Sequence, residues 1–188
     1  MEQEKRVLIS GTNNRYQIKK LIKNEVEVKK RKVSEKWGLT DDHLGDEKQE
    51  ALIKELFINL KDGIVDTSNA IAIIKNELNK KISSYKQQDI IRKLLNEEQF
   101  IDMYTVITKL YECNLECYYC KEKMVILYEL VREMKQWTLD RINNDLGHNR
   151  DNIVMACLDC NLKRRRKGSD AFLFTKQLTI IKSEENAF

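Results

Sequence analysis

The chain has 188 residues, 41% of them hydrophobic and 34% charged, with a formal net charge of +4. That is enough for one ordinary domain, or a small domain with an extension. It contains no apolar run of the roughly eighteen residues that a membrane-spanning helix needs. Residues 1–16 lack the apolar stretch of a secretory signal, so an intracellular, reducing setting is expected, the cytoplasm or nucleus of a host cell. There the five cysteines read as metal ligands or free thiols before disulfides.

Residues 1–45 are a basic segment that resists assignment. Residues 1–36 hold 11 Lys/Arg against 5 Asp/Glu, and the stretch 16–36 could be a helix with sparse apolar anchors. Trp37-Gly38-Leu39-Thr40-Asp41-Asp42 looks like a turn. Residues 46–111 read as helices. Leu52, Leu56 and Leu60, with Ile53 and Phe57 beside them, make one apolar stripe, which Asp62-Gly63 ends. Thr67 or Ser68 caps the next helix, whose stripe is Ile71, Ile74, Leu78 and Ile82. Ser84 with Gln87 three residues later resembles a capping box, followed by an apolar face of Ile90, Ile91, Leu94 and Leu95. A further helix is expected from about Phe100 to Leu110, with Tyr104 and Ile107 inward. The region reads as a helical packing unit. Its acidic balance argues against phosphate contact, for which Lys29-Lys30-Arg31-Lys32 is better suited.

After Tyr111 cysteines and aromatics cluster and the helical period fades, which places a domain boundary there and a second domain at 112–182. Cys117-Tyr118-Tyr119-Cys120 and Cys157-Leu158-Asp159-Cys160 are two CxxC pairs. That spacing lets each pair reach one tetrahedral metal, so together they predict a four-sulfur structural zinc site. Cys113 has no partner at such a spacing and reads as a free thiol. A closed zinc site staples a small domain without doing chemistry. Any chemistry must come from the 36 residues between the pairs.

Trp137–Ile142 alternates and suits a strand, residues 143–152 are a loop rich in Asn, Asp and Gly, and Ile153–Ala156 is a second short strand. Residues 160–167 suit a helix with Asn161 near its start. The run Lys163, Arg164, Arg165, Arg166 and Lys167 lies behind Asn161 and offers phosphate contacts, or else a solvated helix face.

With Cys117-x-x-Cys120, Leu139-Asp140-Arg141-Ile142, Gly147-His148, Asp151-Asn152-Ile153-Val154 and Cys157-x-x-Cys160-Asn161 in this order, the sequence resembles the HNH endonuclease superfamily. Within it, the chain is similar to the branch with LDRI, GH or GY, and DN motifs seen in phages and large DNA viruses. The resemblance covers roughly residues 112–170. It implies an α+β chain: a mostly helical N-terminal region, then a small zinc-stapled ββα-metal domain. It implies a metal-dependent endonuclease acting on DNA, with Asp140 and Asn161 holding a catalytic Mg²⁺ or Mn²⁺ and Asn152 orienting the loop. Arg141 departs from the family, which mostly has a histidine base there. Arginine stays protonated and cannot serve as a base, so Arg141 is expected to clamp phosphate and His148 to act as base. Arg141 also leaves open a catalytically inactive zinc-containing nucleic-acid-binding module. Asp140 as a loop cap, Arg141 paired with Asp145 or Asp151, and His148 as a surface residue are the plain structural alternatives.

Overall fold

The computed structural model describes residues 29–178. Residues 1–28 of the basic segment, and the end of the second domain at 182, lie outside the described residues, while within the expected contact Lys29-Lys30-Arg31-Lys32 two cations are paired, Lys30 with Glu129 and Arg31 with Glu77. The architecture is α+β: α1 (Asp46–Asp62), α2 (Asn69–Arg92), α3 (Met103–Glu112), β1 (Trp137–Arg141), β2 (Ile153–Cys157), α4 (Leu158–Arg164) and α5 (Ser169–Gln177). Two short 3₁₀ turns, Ser34–Lys36 and Asp41–Leu44, precede α1. The described part of the basic segment is therefore turn and extended chain, not helix. No helix of the described residues is long and apolar enough to cross a membrane.

The apolar stripes decide which helix faces go inward. Leu52, Ile53 and Leu56 bury one face of α1, and Gly63 ends the helix at φ 67, a left-handed position that favours glycine. Ile71, Ile74, Leu78 and Ile82 bury the facing stripe of α2. No new helix begins at Ser84. The helix runs unbroken to Arg92 and ends at Lys93, whose N–H bonds back to Asp89 and Ile90. Nothing at Ser84–Gln87 opposes helical backbone, and Ser84 lies on the solvent side. The inward face therefore continues Ile71, Ile74, Leu78, Ile82, Tyr85, Asp89 at three- and four-residue steps, while Ile90 and Ile91 are exposed. Asp102 caps α3 by accepting from Thr105 N–H at 2.7 Å. Val106, Ile107 and Leu110 are buried there, whereas Tyr104, expected inward, is exposed.

β1 and β2 pair antiparallel, with Trp137 opposite Cys157 and Arg141 opposite Ile153. Although its residues alternate in polarity, β1 is buried on both faces. α2 also meets its backbone: Lys81 Nζ donates to Trp137 O, and Leu139 N–H donates to Tyr85 Oη at 3.1 Å. One hydrophobic core gathers residues from Trp37 through α1, α2 and α3 to the cysteine knuckles, both strands and Phe172. Gln49, fully buried on α1, joins these parts. Its amide nitrogen donates to Leu44 O and Leu127 O, and its oxygen accepts from Ile126 and Leu127 N–H.

Candidate functional site

The turn after α3 and the start of α4 bring Cys117, Cys120, Cys157 and Cys160 together, with all four sulfurs within 4.8 Å of one another. A tetrahedral zinc with Zn–S bonds near 2.3 Å requires sulfurs just under 4 Å apart, and Cys120 and Cys157 sulfurs stand 3.9 Å apart. Backbone N–H groups of Cys157 and Cys160 point at the sulfurs of Cys117 and Cys157, at 3.3 and 3.4 Å. A hydrogen bond from Cys157 pulls the Cys117 thiol down to about 4, while burial pushes Cys160 up to about 12. Four sulfurs this close do not all ionise without a cation to share, so the donor set fits a zinc ion. Cys113 stands outside the cluster, and burial raises its thiol.

The first knuckle also delivers Tyr119. Its hydroxyl donates to Asp140 Oδ2 at 2.7 Å, and its ring packs edge-on against Phe172. Arg164 Nη1 donates to Asp140 Oδ1 at 3.0 Å, and its Nη2 donates to the carbonyls of Arg141 (2.6 Å) and Ile142 (3.1 Å). Arg164 is 0% exposed. It is thus no phosphate contact, contrary to the sequence expectation: the end of α4 turns it under β1, where it neutralises Asp140. The basic run is split further, since Lys163 pairs with Asp159 on the same helix.

Asp140 lines a cleft of about 510 Å³ together with Tyr85, Gln88, Arg92, Arg141, His148, Asn161, Arg165 and Arg166, among others. Burial pushes the Asp140 carboxyl up, against the opposing pull of Tyr119 and Arg164. Each of its oxygens accepts one of these bonds and keeps a lone pair. Asn161 Nδ2 donates to Thr138 Oγ1 at 3.0 Å, and its Oδ1 makes no hydrogen bond among the described residues. A carboxylate and an amide carbonyl are donors that a hard divalent cation takes, so these residues fit Mg²⁺ or Mn²⁺. Four arginines on the same walls oppose a bare cation and favour one arriving with phosphate.

Arg141 pairs with neither Asp145 nor Asp151. Its Nη1 donates to the loop carbonyls of Asn144 (3.1 Å) and Leu146 (2.9 Å), so it braces the loop whose base it occupies. Asn152 closes the same loop from the other strand, accepting from Asn143 N–H and donating to Asn143 O and Gly147 O. His148 is buried in the cleft wall, with the Tyr85 ring packed against it at a tilt of 42°, centroids 4.5 Å apart. Burial pushes the imidazole below its ordinary value, even with Asp89 beside it pulling the other way.

The sequence reading missed three cleft residues, Tyr85, Gln88 and Arg92, and Asp89 behind them. All sit on the last two turns of α2. The signal was a carboxylate in phase with an apolar stripe, obscured by the helix break expected at Ser84.

No family model matches the chain, and no curated protein or solved structure matches it either.

Proposed function

We propose that this protein is a metal-dependent endonuclease of the HNH type that hydrolyses phosphodiester bonds in DNA. One observation carries the proposal. A single cleft is lined by two oxygen donors for a hard cation, Asp140 and Asn161, by the imidazole of His148 and by four arginines. These are the parts that metal-assisted phosphodiester hydrolysis uses: a place for a divalent ion, a proton acceptor and charge complementary to phosphate. When bound, Mg²⁺ or Mn²⁺ would supply Lewis-acid stabilisation of charge on the phosphate oxygens. Arg92, Arg165 and Arg166 hold the nucleic-acid backbone, a role that does not depend on base sequence. His148, whose burial disfavours the charged imidazolium, takes the proton of the attacking water. Arg141 and Asn152 keep the loop in place, and zinc at the four cysteines holds Tyr119 against Asp140.

A second reading is a zinc-containing nucleic-acid-binding module without cleavage. It is favoured by the engagement of both Asp140 oxygens with Tyr119 and Arg164.

The test is supercoiled plasmid, and branched and single-stranded DNA, incubated with zinc-loaded full-length protein in Mg²⁺, Mn²⁺ or EDTA. Asp140→Asn is the paired variant, since it keeps Arg164 from facing an empty buried space. Metal-dependent cutting that is lost in the variant supports the nuclease. Binding without cutting of any substrate supports the module.

A further inference from the structure

We propose that Asp89, on the helical side of the cleft, is a positioning residue that fixes the tautomer of His148 and turns its Nε2 toward the substrate. The catalytic consequence rests on the nuclease reading; the tautomer does not.

Both oxygens of Asp89 are spent on one residue. Oδ2 accepts the backbone N–H of His148 at 2.6 Å, and Oδ1 lies 2.8 Å from its Nδ1. Asp89 is 0% exposed, and its carboxylate touches no cation side chain among the described residues. A charge buried this deeply is stable only if hydrogen bonds compensate it. With Asp89 accepting at both oxygens, as a carboxylate does, the proton of the 2.8 Å contact sits on Nδ1. Nε2 is then the lone-pair nitrogen. It makes no protein hydrogen bond and is not an enclosed orphan, and its ring lines the cleft. When Nε2 takes a proton, the carboxylate–imidazole pair becomes a carboxylate–imidazolium ion pair across 2.8 Å, so Asp89 favours the protonated state that proton transfer creates.

The local architecture leaves little play in this contact. A Cβ on Gly147 would lie 2.5 Å from Leu94 O and 2.8 Å from Asp89 Oδ2, so only glycine lets the loop approach α2 this closely. Ile101 N–H holds the carbonyl of His148 at 3.0 Å, and Tyr85, one turn before Asp89, covers the imidazole face. Backbone, ring face and Nδ1 of His148 are thus all fixed from outside the strand–loop–strand unit. Asp89 is a residue of the site contributed by the helical region.

The chain has two histidines, so its imidazole spectrum is simple. Long-range ¹H–¹⁵N spectra of the zinc-loaded full chain at pH 7.5, with His43→Ala for assignment, report the tautomer directly. The expected result is Nδ1–H with a pyridine-like Nε2. In Asp89→Asn, one acceptor must serve two donors. The proton is expected to move to Nε2, and kcat to fall about 10²–10⁴-fold with KM little changed, the span of a lost general base. An Nε2–H tautomer in the unmodified protein overturns the proposal whether or not the variant folds. So does Asp89→Asn cutting at the unmodified rate. An unmodified protein with the expected tautomer that cuts no DNA counts against the nuclease reading alone, and leaves Asp89 established as the residue that positions His148.

Discussion

Arg164→Met is the sharpest test of the electrostatics beneath the cleft. The substitution keeps an unbranched apolar stem but removes the guanidinium and its three hydrogen bonds, to Asp140 Oδ1, Arg141 O and Ile142 O. It strands a carboxylate oxygen and two carbonyls where no water replaces the guanidinium, since Arg164 is wholly buried. Each buried orphan costs about 1–3 kcal/mol, and burying the methionine chain returns about 1.5–3 kcal/mol. Breaking a buried pair from one side costs about 3–5 kcal/mol overall, and that is the expected loss. The assay is urea unfolding of the zinc-loaded full chain followed by fluorescence of Trp37 and Trp137, both buried in the core. Asp140→Asn removes the charge that Arg164 neutralises, so the double variant should lose less than the two single losses together, by about 1–3 kcal/mol of coupling. A single-variant loss under about 0.5 kcal/mol, the range of neutral surface changes, would falsify the buried-pair account. So would strict additivity of the two substitutions.

Three further outcomes are expected. Native mass spectrometry should find one zinc per chain, retained in Cys113→Ser and lost or weakened in Cys160→Ser; equal loss in both would bring Cys113 into the site. Gly147→Ala should destabilise by about 1–3 kcal/mol, the usual cost of overpacking, because the atom it meets is the backbone oxygen of Leu94; an unchanged unfolding midpoint would show that the loop does not need that approach. Stability should also fall in acid through Glu77. Burial alone would raise its carboxyl, but Lys80 and Arg31 outweigh burial and hold it below its ordinary 4.5. A depressed carboxyl stabilises above its unfolded value and loses that contribution as pH falls through its folded value. The urea midpoint should therefore drop below about pH 5, and Glu77→Gln should flatten the drop; parallel curves would remove Glu77 from the account.

Local chemistry made much of this molecule readable from its residues. The cysteine pairs cluster as their spacing requires, the stripe of α2 is buried, that of α1 is buried at Leu52, Ile53 and Leu56 but exposed at Leu60, and the two strands fall within one residue of expectation. What misled was phase and burial. Ser84 and Gln87 have the spacing of a capping box, and a break there rotates the expected inner face from Asp89 to Ile90 and Ile91. A spacing pattern does not reveal whether a polar residue starts a helix or rides its outer side. Likewise the run from Lys163 to Lys167 looks uniform, but the helix ends inside it: Arg164 is the last helical residue, and Arg165, at φ 55, turns the chain in a new direction. Arg164 goes under the sheet while Arg165 and Arg166 face the cleft. The partner of His148 lies 59 residues away on another element, a distance at which local pattern carries no information.

The buried amide of Gln49 bears on how such a protein can arise. It supplies two donors and an acceptor to chain segments that have no strand partner of their own, so the stretch from Ile126 to Leu127 keeps its shape only while α1 is present. A fragment beginning at residue 112 would keep the four cysteines and both strands. It would lose this clamp, the Lys81 ammonium over the Trp137 ring, and the carboxylate behind His148. The cysteine-bearing half therefore shares one core and one set of buried hydrogen bonds with its helices, so a substitution on either side of that core is felt on both.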